Sequence, residues 1–260
     1  MPTNADTLIF LPIWNQAQEL PRVLEEISRF RPDGVDFLLI NNGSTDGSED
    51  LARQSGLPVV EIPTNLGIGH SFEVAFRWAR SRDYAYFGSM ASNGKMLASE
   101  VHRLVEPLRD GRADYVTGSR FLPGGGFPNL PTFRRLAIPG VNIVAWLTTG
   151  RRLTDATNGF RVFRLGILEA AEFDLDAEWL RTYGFEYYVY AKALRDRRIR
   201  CIEVPSTMRY PEQGSYSKIR PGRDWLAMLR PWIRARFDRS GFGALPWLAD
   251  PNTSSVEGQR

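Results

Sequence analysis

The feature that most constrains this chain is an alternation. Short apolar runs ending in small or polar residues take turns with helix-like stretches. "TLIFLPIW" (7–14), "DFLLINNG" (36–43), "VVEIP" (59–63), "YAYFGSM" (84–90) and "DYVTGSR" (114–120) have strand length and strand composition. Between them, 16–30, 46–55, 68–82 and 98–110 carry helical spacing; Phe72, Ala75, Phe76 and Ala79 fall on one face. Such alternation predicts an α/β domain, a Rossmann-like, mostly parallel sheet flanked by helices. At 260 residues and 43% hydrophobic content the chain has enough apolar material for one such core. Sheets of this kind bind ligands beyond the carboxyl ends of their strands. Here those ends read "WNQ", "NNGSTDG", "SMASNG" and "GSRF", so a polar cleft is expected there.

The second half is less regular. "LPGGGFPNLP" (122–131) has the length and glycine content of a flexible lid. An apolar helix is expected at 134–149, then the compact stretch "TDATNGFRVF", a helix at 184–196 and a strand within 199–210. Residues 222–238 combine arginines with Trp225, Leu226, Leu229, Trp232, Ile233 and Phe237 near one face, the pattern of an interfacial helix on an anionic membrane or of a helix packed on its own core. The division expected is a main domain over 1–220, a basic amphipathic segment over 221–249 and a disordered tail over 250–260.

Composition closes several routes. A single cysteine, Cys201, excludes an intrachain disulfide and fits a reducing compartment. A net charge of +3 gives no reason to expect nucleic acid as a partner. No run approaches the ~20 apolar residues that span a bilayer, and the apolar run near the N-terminus is too short for a signal peptide. The expected location is therefore cytoplasmic, with peripheral contact at the inner face of the membrane through 222–238. Only three of the 33 basic residues are lysines, Lys95, Lys192 and Lys218. That bias suits a GC-rich genome and draws attention to each lysine.

Six stretches taken in order, "LPIWNQAQEL", "INNGSTDGS", "NLGIGHSFEVAFRWA", "DYVTGSRF", "TDATNGFRVFR" and "EVP…GSYSK", resemble family-2 glycosyltransferases of the GT-A fold. Within them the chain is most similar to dolichol- and polyprenyl-phosphate sugar transferases. The resemblance runs from about residue 7 to 220. It implies the nucleotide-diphospho-sugar transferase architecture, an inverting transfer from a nucleotide-sugar donor, and a cleft that holds the nucleotide through Pro12, Trp14, Gln16, Asn42, Ser92 and Asn93.

The same resemblance exposes departures. The family's first turn carries tyrosine and glutamate where this chain has Trp14 and Gln16. Its aspartate pair is Asn41 and Asn42 here, and its metal-binding DxD turn followed by glutamine is Ala91, Asn93 and Lys95. Mg²⁺ and Mn²⁺ need hard, preferably anionic oxygen ligands. Ala91 supplies none, Asn93 only a neutral carbonyl, and Lys95 repels a cation. No cofactor is therefore expected and a divalent metal is disfavoured. The Lys95 ammonium is the candidate replacement, since stabilising a diphosphate leaving group requires placed positive charge rather than a metal as such. Lys95 as an ordinary solvated turn residue is the alternative.

The phosphate-binding candidates that the resemblance implies are Lys95, Arg120, Arg135, Arg161 and Lys218, because arginine forks match phosphate oxygens. Arg134 and Asn142 also fall where the lipid-phosphate transferases have basic and polar residues. A phosphate acceptor, such as a polyprenyl phosphate, is nucleophilic already. A small-molecule hydroxyl acceptor needs a general base, for which Asp155 and Glu186 are candidates, although Asp155 has the alternative task of orienting an arginine. The functional expectation is sugar transfer from a nucleotide-sugar to a phosphate- or hydroxyl-bearing acceptor without the usual metal. The competing reading is a non-catalytic GT-A binding module.

Overall fold

In the computed structural model, residues 4–248 are described apart from 176, 182–183 and 211–222, with backbone alone at 223–228. Alternating β and α elements occupy the first half: β1 (Thr7–Ile13), α1 (Leu20–Phe30), β2 (Val35–Asn42), α2 (Ser48–Gln54), β3 (Val59–Ile62), α3 (Ile68–Arg80), β4 (Tyr86–Ser89), α4 (Val101–Arg109) and β5 (Tyr115–Ser119). The second half adds α5 (Thr132–Thr149), β6 (Arg161–Arg164), the single turn α6 (Gly166–Glu169), α7 (Gly184–Arg195), β7 (Cys201–Pro205) and α8 (Arg223–Phe237).

The strands form one seven-stranded sheet in the order β3-β2-β1-β4-β6-β5-β7. All neighbours run parallel except β6, which pairs antiparallel with both β4 and β5. Period-2 alternation divides the core. Leu8, Phe10, Leu38 and Ile40 face the side covered by α3, α7 and α8, while Ile9, Leu11, Ile13, Phe37 and Leu39 face α1 and α4. All eight residues of β2 are buried, as a parallel strand covered on both faces requires. The compact stretch "TDATNGFRVF" runs into a strand that the sequence pattern does not predict, β6, four residues bounded by arginines.

The structure changes one expectation and sharpens another. Residues 122–131 do not hang free as a lid. The Gly126 N–H donates to Ser206 O, Met208 N–H to Gly126 O and Tyr210 N–H to Pro128 O, and the Asn129 side chain donates to Tyr210 O. That ladder fastens the loop along 206–210. The 222–238 segment is helical, but Trp232 is fully buried and packs edge-on to Tyr190 at 5.9 Å, with Ala235 buried beside it. Its largest described aromatic thus belongs to the core, and Ile233 and Phe237 are the described apolar side chains of this helix that stay exposed. The 250–260 tail lies outside the described residues. None of the described helices is long and apolar enough to cross a membrane.

Candidate active site

The turns at the carboxyl ends of β1, β2 and β4 are laced together by side chains that the sequence supplies for turn-making. Ser44 Oγ accepts from Asn15 N–H at 3.0 Å, Ser48 Oγ accepts from Gln16 N–H at 2.8 Å, and Asp46 accepts from Ala17 N–H at 2.9 Å. Burial opposes it, but hydrogen bonds from Ser48 and Ala17 hold the Asp46 carboxyl below its usual range. Ser92 Oγ donates to Pro12 O at 2.5 Å, which binds the turn after β4 to the end of β1. Asn15 takes a positive φ of 52°, a conformation asparagine tolerates. Trp14, at the end of β1, is 40% exposed.

The two asparagines that replace an aspartate pair have separate duties. Asn41 stands opposite Glu61 in the β2–β3 register and donates to its carboxylate at 2.6 Å. An aspartate at 41 would set two carboxylates against each other. Asn42 accepts from Leu66 N–H and donates to Gly67 O, both at 3.0 Å, so its amide shapes the loop that leads into α3.

The turn after β4 is closed by Gly94, at φ 67°, whose absent Cβ leaves room for the Arg22 guanidinium. Arg22 donates to Gly94 O at 3.2 Å and pairs with Glu19 at 2.9 Å. Asn93 Oδ1 accepts from Lys95 N–H at 3.3 Å. Lys95 itself is buried, with Nζ 5.8 Å from the ring centroid of Tyr210. Arg134, from the first turn of α5, sits 5.9 Å from the same ring. Burial, then the charge of Arg134, lowers the Lys95 pKa to about 8 against the opposing influence of Glu19. Among the described residues no three His, Cys, Asp or Glu side chains gather to hold a metal. The donor set of this turn, an alanine, a neutral amide and an ammonium, does not fit a hard divalent cation.

Arg120 and Asp155 form a buried bidentate pair. Arg120 Nε donates to Oδ2 at 2.7 Å and Nη2 to Oδ1 at 2.6 Å, with a further bond to Thr157 Oγ1 at 2.6 Å. Another Arg120 nitrogen donates to the Tyr210 hydroxyl. Glu203 secures the loop beneath by accepting from the N–H groups of Thr154 and Asp155. Arg161 is enclosed between Tyr187 and Tyr190, with ring centroids 5.0 and 4.5 Å away. It donates to Glu186 O at 3.0 Å and Ala156 O at 3.2 Å. Arg120 and Arg161 are both buried; Asp155 orients Arg120, whereas Arg161 Nε meets no hydrogen-bond partner among the described residues. Arg120 and Asp155, expected at a phosphate and at a reacting proton, are here paired with each other.

Glu186, in the first turn of α7, is only half-buried. Its carboxylate lies over Gly159, where a Cβ would stand 3.2 Å from Oε1, and Gly159 O accepts from Ser89 Oγ at the end of β4. Burial, partly offset by Arg161, raises the Glu186 carboxyl pKa. Arg135 is exposed beside Arg134 at the start of α5. Lys218 lies outside the described residues. Tyr210 is the site residue that the motif reading missed: its ring serves Lys95 and Arg134, and its hydroxyl serves Arg120. A separate recess of about 450 Å³, lined by Phe173, Trp179, Tyr188, Ile233 and Phe237 among others, contains none of the predicted site residues.

Comparison with known proteins agrees with this architecture. The family model described as glycosyl transferase family 2 matches residues 8–171. The chain is 32% identical over 212 residues to an undecaprenyl-phosphate mannosyltransferase of Micrococcus luteus, covering 80% of this chain and 85% of that protein. It is 29% identical over 245 residues to a polyprenol monophosphomannose synthase of Mycolicibacterium smegmatis, covering 90% and 89%. Among solved structures, glucosyl-3-phosphoglycerate synthase from Mycobacterium tuberculosis, in complex with Mn²⁺, uridine diphosphate and phosphoglyceric acid, superposes with a TM-score of 0.61 at 18% identity over 89% of this chain and 77% of that one. That likeness is one of fold. With the sheet order, the turns at the strand ends and these matches together, the chain belongs to glycosyl transferase family 2 and is a glycosyltransferase of the GT-A fold.

Proposed function

We propose that this glycosyltransferase moves a sugar from a nucleoside-diphosphate sugar to a polyprenyl phosphate, and that Lys95, with Arg134 beside it, supplies the positive charge that a DxD-bound metal supplies elsewhere in the family. The observation that carries the proposal is the buried Lys95 ammonium in the turn after β4, where the metal-binding carboxylates are replaced by Ala91 and Asn93. A preorganised cation in a water-poor site stabilises a developing diphosphate without reorganising. The exposed Trp14 ring and the Pro12–Gln16 and Ser92–Asn93 turns form the wall against which the nucleoside rests.

The acceptor assignment draws on the two lipid-phosphate relatives and on the state of the carboxylates. A phosphate oxygen attacks the anomeric carbon, the bond from that carbon to the diphosphate oxygen breaks, and the leaving diphosphate carries away the electron pair, which inverts the anomeric centre. No proton has to be removed from such an acceptor. Asp155, committed to Arg120, is then under no demand as a base. Glu186 lies near the cleft with a raised pKa and is the carboxylate that a hydroxyl acceptor would use.

The test is a transfer assay in EDTA with a panel of nucleotide sugars and a short polyprenyl phosphate, followed by mass spectrometry of the lipid product. Lipid-phosphate-linked sugar formed without metal is expected, and Glu186→Gln should leave its rate within a few-fold. Transfer confined to hydroxyl acceptors and abolished by Glu186→Gln would replace the acceptor assignment. Product formed only with Mn²⁺ or Mg²⁺ would remove Lys95 from the metal's role.

A further inference from the structure

One helix in this molecule is apolar on both sides. Ile138, Val141, Ala145 and Thr149 of α5 are buried in the fold, and Asn142 fixes the helix to the neighbouring loop by donating to Thr154 O and accepting from Ala156 N–H, both at 2.9 Å. The opposite side carries Phe133, Leu136, Ile143, Trp146 and Leu147, all exposed, with Leu136 at 76% and Leu147 at 67%. These positions recur at helical spacing and make one continuous stripe over about four turns. Scattered single apolar residues on a surface need no explanation, but a continuous stripe does.

The charges around the stripe say what covers it. Residues 132–153 contain no Asp or Glu and four arginines, Arg134 and Arg135 at one end and Arg151 and Arg152 at the other. Arg134 lies 5.7 Å from the Phe133 ring and Arg152 5.3 Å from the Trp146 ring. Aromatic rings with guanidinium groups beside them at each end of an apolar face match a headgroup layer above an acyl layer. A second copy of the chain would bring arginine ends of like charge together in a two-fold pairing, whereas an anionic lipid surface complements them.

We infer that α5 lies in the plane of an anionic bilayer, with its Phe133–Leu147 stripe in the acyl boundary and the exposed Arg135 and Arg152 at its two ends among the headgroups. The stripe is separate from the 222–238 segment to which the sequence pattern points, where Trp232 is in the core while Ile233 and Phe237 are exposed. The inference deepens the lipid-acceptor reading and rests on it for its purpose: Arg134 belongs both to the docking helix and to the Lys95–Tyr210 cluster. A helix lying in the headgroup plane brings that cluster to the depth at which a lipid phosphate is presented.

The experiment is flotation of the full chain with phosphatidylcholine vesicles containing about a third phosphatidylglycerol, beside pure phosphatidylcholine vesicles. The expected result is strong recovery with anionic vesicles, little with neutral ones, and loss by about 100-fold or more in Leu136→Glu/Leu147→Glu. Both positions are exposed, so circular dichroism and calorimetric binding of uridine diphosphate should match the parent; Ile143→Glu is a second variant should the double one misfold. Failure of the parent to float with anionic vesicles overturns the inference, as does equal flotation of the variants. A parent that is dimeric, becomes monomeric in the variant and ignores vesicles would show the stripe to be a contact between copies. Vesicle binding without sugar transfer to polyprenyl phosphate would sink the acceptor assignment and leave the docking surface standing.

Discussion

Two buried cationic sites meet at Tyr210, and they are built on opposite plans. Arg120, on the hydroxyl side, has a bidentate carboxylate partner in Asp155, and both are essentially sealed from solvent. Lys95, on the ring side, has a like-charged neighbour in Arg134 and a pKa lowered to about 8. The first site is a closed electrostatic unit that ties the end of β5 to the 154–157 loop. At the second, burial and the Arg134 charge outweigh Glu19 and hold the Lys95 pKa down; it is the cation that the proposed function sets against the leaving diphosphate. Sequence motifs place Arg120, Arg161 and Lys95 in one class of phosphate ligands; burial and partners separate them into two.

The largest way to break this contrast is to open the closed unit. Asp155→Ala leaves the Arg120 guanidinium buried without its carboxylate, and losing one partner of such a pair costs about 3–5 kcal/mol. Urea denaturation should show that loss, and Arg120→Met/Asp155→Leu should recover much of it. A variant Asp155→Ala as stable as the parent would mean that the pair is not the structural unit described.

Lys95 should behave in the opposite way. Lys95→Ala is expected to lower transfer by about 10²–10³ while denaturation midpoints and nucleoside affinity hold steady. Rebuilding the family turn as Ala91→Asp/Asn93→Asp/Lys95→Gln restores hard oxygen ligands, and any activity it regains should depend on Mn²⁺. A rate indifferent to Lys95→Ala would sink the lysine-for-metal exchange.

The smallest effect is on stability, and its sign is distinctive. The folded-state pKa of Lys95 lies below that of the unfolded chain, so between about pH 8 and pH 10 the unfolded chain binds more protons. Stability contributed through this group therefore rises with pH across that window and is lowest below it. Lys95→Met should stabilise the protein at pH 7 by on the order of 1–3 kcal/mol and flatten that rise, which thermal unfolding as a function of pH can read. A destabilised Lys95→Met would show that the ammonium serves packing rather than ligand charge.

How much of this was legible in the sequence follows from what fixes each part. The β1, β2, β4 and β5 runs are local signals, and their pattern predicts the sheet that the structure shows. Strand β6 escaped because four residues, half of them arginine, carry no period; its place between β4 and β5 is set by pairing at long range. Asn41 looked like a lost aspartate until its register partner Glu61 explained the amide. Arg120 and Asp155 are 35 residues apart, so nothing local says that they consume each other. Residues 134–149 read as an apolar helix and 222–238 as a basic amphipathic segment, but composition does not tell which face the rest of the fold covers. Trp232 went inward and Leu136 and Leu147 outward.

The most direct measurement is calorimetric titration of uridine diphosphate in EDTA, with the parent and with Lys95→Ala, at pH 7 and at pH 9. The parent is expected to bind without metal at pH 7 and more weakly at pH 9, where Lys95 has lost its proton. Lys95→Ala is expected to bind at least about tenfold more weakly at pH 7, the worth of a charge-assisted hydrogen bond, and to show little change between the two pH values. Binding by the parent that appears only when Mn²⁺ or Mg²⁺ is added, or equal affinity in Lys95→Ala, would contradict the assignment of the metal's charge to Lys95.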